Sequence, residues 1–445
     1  VRRVWQVWLM IAETPAGLHG DVLPLRSTAI AAFSTIVEWY DFTLYLYFAT
    51  VLSRVFYGGG KQSLLITLGG FAIAYLMRPL GAIFFGHIGD RLGRRHMLLI
   101  SVAVMTAAML ATALLPTRSQ VGPAAGWLLL ALRCVMGFSV GGEYTGVVAY
   151  LLEGARPERR GLLASSASAA SEIGALLAVG ISAVTVSALS EAALASWGWR
   201  IPFLFGAALA GSVWIARSTM HESPDFRRQQ EEGTVPAEPL AHALRHHRAG
   251  IARAFSISAL GSITYYVGIT YVPTFLTSAG ALAEGAALWL STVAAVVVIV
   301  VTPFVGLWSD SIGRRPVLII LCLASAALPI SMFALMASGS QIRALLGASS
   351  LAALAGAVSA VGAVATAEQF PGEGRVTGLA LGATMATAVF GGLTPYAAQL
   401  LLERTGWSMA PGAMIALVAV CVLPVFLGMR ETAPISARRI RSASS

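Results

Sequence analysis

The chain has 445 residues, 57% of them hydrophobic and 11% charged, with 30 lysines and arginines against 21 acidic residues. A soluble chain of this length needs far more charge to cover its surface, so the solvent is lipid. The basic excess is no nucleic-acid footprint, because the arginines sit in short loops between long apolar runs, with no basic stripe or stacking platform.

In chain order, Val1 to Ala12 mimics the basic and apolar regions of a signal peptide. It lacks a small-residue cleavage site and is separated from the first long apolar run by a polar stretch, so residues 1–26 read as a tail. Apolar runs long enough to cross a hydrocarbon core of about 30 Å then recur. They fall at 27–51, 63–86, 97–115, 126–150, 162–187 and 200–217, and again at 252–275, 285–308, 317–337, 343–367, 376–402 and 408–428. The pattern predicts an all-α membrane protein with twelve spans in two six-helix bundles, at 27–219 and 251–430. A polar central loop, 220–250, separates them, and 431–445 forms a second tail. With both termini in the cytoplasm most lysines and arginines lie inside, which sets the orientation expected in an inner membrane. Cys134, Cys322 and Cys421 each lie in an apolar run with no ligand-spaced neighbour, so no metal site is expected.

The halves repeat. Gly86-His-Ile-Gly-Asp90-Arg91-Leu-Gly93-Arg94-Arg95 follows the second span, and Gly306-Leu-Trp-Ser-Asp310-Ser-Ile-Gly313-Arg314-Arg315 follows the eighth. A weaker echo links Glu153…Pro157…Arg160-Gly161 to Glu368…Pro371…Arg375…Gly378. Duplicated halves of this kind describe a transporter whose substrate site lies between them near mid-membrane.

Ionisable groups within spans are costly, so each is a functional candidate. Ser34, Glu38, Asp41 and Tyr45 form one helical stripe in span one. Counting rise along antiparallel helices puts Asp41 level with Arg133, and Glu38 level with Glu143 and Arg78. An arginine beside a carboxylate keeps it ionised, and a substrate carboxylate that captures the arginine frees the protein's own to take a proton. Asp41 with Arg133 is the first candidate for that exchange, against the plainer reading of a fixed pair that orients helices. Arg78 with Glu143 is a second pair, and the Gly-Gly before Glu143 also predicts close helix approach. Glu172, striped with Ser165 and Ser168 in span five, is a further proton site or a counter-charge for a cationic substrate, against the plainer reading of a protonated glutamate bonded to a neighbouring helix. Tyr265, Tyr266 and Tyr271 in span seven and Tyr396 in span eleven stand beside glycine and proline that loosen those helices. Together with Tyr45 they are candidates for substrate contact, by cation–π attraction if the substrate carries an ammonium group.

At the repeated loops the chain resembles the major facilitator superfamily. Glu38-Trp-Tyr-Asp41-Phe, Arg78-Pro-Leu-Gly, Gly137-Phe-Ser-Val-Gly-Gly-Glu143, Trp197-Gly-Trp-Arg-Ile-Pro-Phe203 and Glu222-Ser-Pro-Asp-Phe226 narrow the likeness to the metabolite:proton symporters. That family includes proline/betaine, citrate, 2-oxoglutarate and shikimate transporters. The resemblance implies symport of a small carboxylated or zwitterionic solute with protons, by a monomer, with no cofactor beyond the proton gradient. It also implies that Asp90 meets the start of span eleven and Asp310 the start of span five, as latches of the cytoplasmic side, with the loop arginines tied to neighbouring helices. Ser311, where that loop usually carries a base, predicts a weaker second network.

Other functions fare poorly. Lys61 follows Gly58-Gly-Gly60 but without phosphate-loop spacing, and no clustered catalytic site appears in any span. A transporter-like sensor that binds without moving solute would share this sequence.

Overall fold

A computed structural model describes residues 25–433 other than 142, 144–145, 148–149, 152–159, 233–244, 246, 280–281 and 371–374. The signal-like start, most of the weaker echo and the basic tail lie outside these residues, as do the side chains of Asp90, Ser165 and Ser168.

Among the described residues, nine helices are long and apolar enough to cross a membrane, and the bent pair Arg248–Thr270 and Val272–Ser278 makes a tenth. The first and fourth expected positions hold Leu25–Tyr47, which carries Glu38 and Asp41, and the shorter apolar helix Ala124–Val140. Helices are the outcome because lipid offers the backbone no hydrogen-bond partner, so every N–H must pair within its own segment. In chain order the spans are α1 (Leu25–Tyr47), α2 (Lys61–Leu92), α3 (Arg94–Ala113), α4 (Ala124–Val140), α5 (Arg160–Ala188) and α6 (Arg200–Ser218). The second set is α7 (Arg248–Thr270), α8 (Glu284–Ile312), α9 (Arg314–Met336), α10 (Gln341–Ala367), α11 (Thr377–Thr405) and α12 (Ala410–Gly428).

The same pairings recur in both halves. Helix α1 packs on α5, α2 on α4 and α3 on α6; likewise α7 packs on α11, α8 on α10 and α9 on α12. Between the halves α5 meets α8 and α2 meets α11. The α2–α4 contact is backbone on backbone: a Cβ on Gly141 would fall 2.1 Å from the Arg78 carbonyl, and one on Gly137 2.0 Å from that of Ala74. Glycine is what allows this approach, as the sequence around Glu143 led one to expect.

The repeated motifs are helix ends rather than loops. Both α2 and α8 run on through the aspartate and stop only at Gly93 (φ 104°) and Gly313 (φ 118°). The apolar runs end four to six residues before the helices do, because the helix continues into polar sequence. A carboxylate then clamps each following helix. Glu222 accepts from the backbone N–H of Arg94 at 2.9 Å and of Arg95 at 3.2 Å, and Glu431 from those of Arg314 at 2.8 Å and Arg315 at 3.0 Å. The guanidinium of Arg95 reaches Ser218 O at 2.7 Å and that of Arg315 reaches Leu427 O at 2.5 Å, so the loop arginines tie α3 to α6 and α9 to α12.

Candidate functional site

A cavity of about 130 Å³ lies between the halves. Its walls come from α1 (Glu38, Trp39), α2 (Arg78), the end of α4 (Val140), α7, α10 and α11, with Tyr265 and Tyr266 facing it from α7. The helices around it are loosened as their sequences predict. In α7 the backbone widens to a π turn at Tyr266–Thr270 and bends by 46° before Val272. In α11 it widens twice, at Ala380–Thr384 and Ala388–Gly392.

Glu38 Oε1 accepts from Arg78 Nη2 at 2.6 Å, and Arg78 Nη1 donates to the Tyr75 hydroxyl at 2.5 Å. That hydroxyl in turn bonds the Tyr266 hydroxyl on the other half. Phe42 and Tyr75 flank the guanidinium, with ring centroids 4.0 and 4.5 Å away. Glu38 Oε2 and Arg78 Nε are buried without a partner, so the pair keeps capacity on its second oxygen and third nitrogen. Trp39 packs edge-on against Tyr265 at 4.8 Å and more nearly parallel to Tyr266 at 6.4 Å, forming an aromatic wall beside the pair.

The expected pairing of Arg78 with Glu143 is corrected. Glu143 instead binds Arg217 and the Ser101 hydroxyl, and Arg217 also holds Ser34 and the Leu98 carbonyl. Depth along the membrane put Arg78, Glu38 and Glu143 at one level but gave no azimuth. Helix α6 reaches Glu143 with Arg217, while Arg78 turns to α1. Arg217 stands in the last turn of α6, where positive-inside topology already accounts for an arginine, so nothing in the sequence singles it out.

Asp41 and Arg133 do meet, at 2.8 Å, and Thr112 Oγ1 accepts from the same guanidinium at 3.2 Å. Neither lines the cavity among the described residues; they sit inside the first bundle with the Tyr45 and Phe203 rings 5.7 and 5.8 Å away. Of the other tyrosines, Tyr45 donates to Thr67 O at 3.1 Å, Tyr271 donates to Gln399 Oε1 at 2.7 Å, and Tyr396 packs near Gly69, all away from the cavity. Glu172 is buried in α5 with one oxygen unpartnered. At the second motif Asp310 pairs with Arg314 at 2.6 Å, and Arg314 also approaches Glu368 at 3.4 Å, so Ser311 has not left this end without ion pairs.

Comparison with known proteins agrees with this fold. Residues 27–246 match the family model "Sugar (and other) transporter", and residues 281–443 match "Major Facilitator Superfamily". The ectoine/proline transporter ProP of Corynebacterium glutamicum is 32% identical over 93% of this chain and 86% of its own. The chain belongs to the major facilitator superfamily. Further relatives put this facilitator among the metabolite:proton symporters. The citrate-proton symporter of Klebsiella pneumoniae is 31% identical, covering 93% of this chain and 92% of its own, and the alpha-ketoglutarate permease of Escherichia coli is 32% identical, covering 89% and 91%. The solved proton:xylose symporter XylE shares the fold, with a TM-score of 0.75 over 92% of this chain and 96% of its own at 20% identity. As a facilitator this chain is a multi-pass membrane transporter of small molecules.

Proposed function

We propose that this facilitator is a proton-coupled symporter importing a small carboxylated metabolite or zwitterionic osmolyte by alternating access. The observation that supports this most is the chain Glu38–Arg78–Tyr75–Tyr266, which runs from a carboxylate at the cavity to the opposite half. A substrate carboxylate entering the cavity competes with Glu38 for Arg78, whose planar fork binds carboxylates at two points. Glu38, losing its counter-charge while buried, is then stable only with a proton. Arg78 moving toward substrate also releases Tyr75, and with it a hydrogen bond between the halves. Proton, substrate and domain movement are thereby linked through one residue.

In this reading the exchange lies at Glu38 and Arg78 rather than at Asp41 and Arg133, and what supports it is that only the former pair lines the cavity among the described residues. Asp41 and Arg133 hold the first bundle together. The face bearing the repeated motifs is the cytoplasmic one in this reading, with both termini there, no cofactor and a monomer as the working unit. The names of the relatives, spanning ectoine, proline, citrate and alpha-ketoglutarate, support a carboxylated substrate.

Purified protein in liposomes tests the reading. Uptake of proline, glycine betaine or citrate should follow an inward proton gradient and collapse with a protonophore. Uptake that survives the protonophore or requires sodium rejects proton coupling, and binding without uptake identifies a sensor.

A further inference from the structure

Four carboxylates are buried among the described residues of the first half, Glu38, Asp41, Glu143 and Glu172, each no more than 2% exposed. Three arginines neutralise three of them: Arg78 holds Glu38, Arg133 holds Asp41 and Arg217 holds Glu143. Glu172 is the odd one. Its Oε2 is buried with no arginine or other cation against it, and the groups that face it are two tyrosine hydroxyls, Tyr47 from α1 and Tyr265 from α7, the latter placed to donate to the carboxylate. Hydroxyl donors can bond a carboxylate but cannot neutralise it, so a buried glutamate faced by phenols alone still calls for a positive charge, a proton or a ligand's.

The surroundings indicate what it is. Tyr265 carries this cluster to the cavity, where its ring stands at 4.8 Å from Trp39 and 5.4 Å from Tyr266. A proton would satisfy the carboxylate without any such wall. Electron-rich rings set edge to face at the cavity, with a carboxylate that has no arginine lying behind them, suit an organic cation, since ring faces attract it and the carboxylate supplies the opposite charge. Arg78 stands at the same cavity to take a carboxylate.

We propose that Glu172, with Tyr47 and Tyr265 behind the Trp39–Tyr265–Tyr266 wall, is a cation site that selects solutes bearing an ammonium group. The transported solute is then a zwitterion rather than a di- or tricarboxylate. This rests on the symporter reading above and narrows its substrate class.

The test uses the full chain in liposomes and two pairs of isosteres: glycine betaine against tert-butylacetic acid, and proline against cyclopentanecarboxylic acid. Each pair keeps the carboxylate and the shape but replaces the cationic nitrogen by carbon. Wild-type protein should prefer the zwitterion in at least one pair by roughly tenfold or more in KM. Glu172→Gln should reduce that ratio to near one, whereas Glu172→Asp, which keeps the charge, should retain a preference. A thermal melt checks that each variant is folded, and Tyr265→Phe, losing one hydroxyl of the cluster, provides a milder change in the same direction if Glu172→Gln is not. Equal uptake of both members of each pair by the wild type, transport of citrate or alpha-ketoglutarate in preference to zwitterions, or an unchanged ratio in folded Glu172→Gln overturns the cation site and leaves the symporter reading standing. Failure to take up any of these carboxylates under a proton gradient overturns both.

Discussion

The Tyr75 and Tyr266 hydroxyls bond to each other across the boundary between the two halves, and Arg78 donates to the same Tyr75 oxygen at 2.5 Å. The group proposed to bind substrate is thus one hydrogen bond away from a contact that alternating access, as proposed, has to break. Tyr75→Phe removes that link and keeps the ring. A neutral hydrogen bond contributes about 1 kcal/mol net, so the balance between inward- and outward-facing states should shift by roughly fivefold. Labelling of introduced cysteines at the two mouths of the cavity reads that shift, and unchanged labelling with unchanged uptake would show that the contact does not gate.

Glu38 and Asp41 should fail in different assays. Glu38→Gln imitates the protonated carboxyl at the cavity, so counterflow exchange of substrate should persist while accumulation driven by pH is lost. Asp41→Asn instead leaves the buried Arg133 without its counter-charge, which costs on the order of 3–5 kcal/mol of stability. A detergent melt lowered for Asp41→Asn, with coupling intact in the protein that folds, is the expected outcome. Loss of coupling confined to Asp41→Asn would return the proton site to Asp41.

Gly93 and Gly313 are predicted to be intolerant of side chains for two reasons at once. Both have positive φ, and a Cβ there would come within 2.3 Å of the Glu222 carboxylate or 2.5 Å of that of Glu431. Gly93→Ala should cost about 1–3 kcal/mol, more than backbone strain alone, because Glu222 must also give up its bonds to α3. The measurement is the melting temperature against Glu222→Gln, which weakens the clamp without the strain and should fall between wild type and Gly93→Ala.

At the far face, Glu284 at the start of α8 accepts from Arg54 at 3.0 Å and from the Thr50 hydroxyl, both just beyond α1. Arg54 is 43% exposed, so the ion pair contributes less than about 1 kcal/mol. Arg54→Ala should open this face by no more than a few-fold in cysteine labelling, and the difference from wild type should shrink as salt rises. A large, salt-independent effect would mean that Arg54 does more at this face than form an exposed ion pair.

The class, the spans and the duplication were legible from hydropathy and repetition along the chain. The Asp41–Arg133 contact was also legible, since rise per residue sets depth and those two groups share a level. Span ends were less so: α2 and α8 continue as helix beyond the apolar run until Gly93 and Gly313 force a break. Depth without azimuth is why Arg78 was matched with Glu143. Only tertiary packing decided that α6 brings Arg217 to Glu143, that Arg78 faces Glu38 at the cavity, and that Glu172 is left without an arginine. The physical reason is that a buried charge is satisfied by whichever helix happens to face it. That choice depends on rotation and neighbour order around the bundle, which no spacing along one chain records.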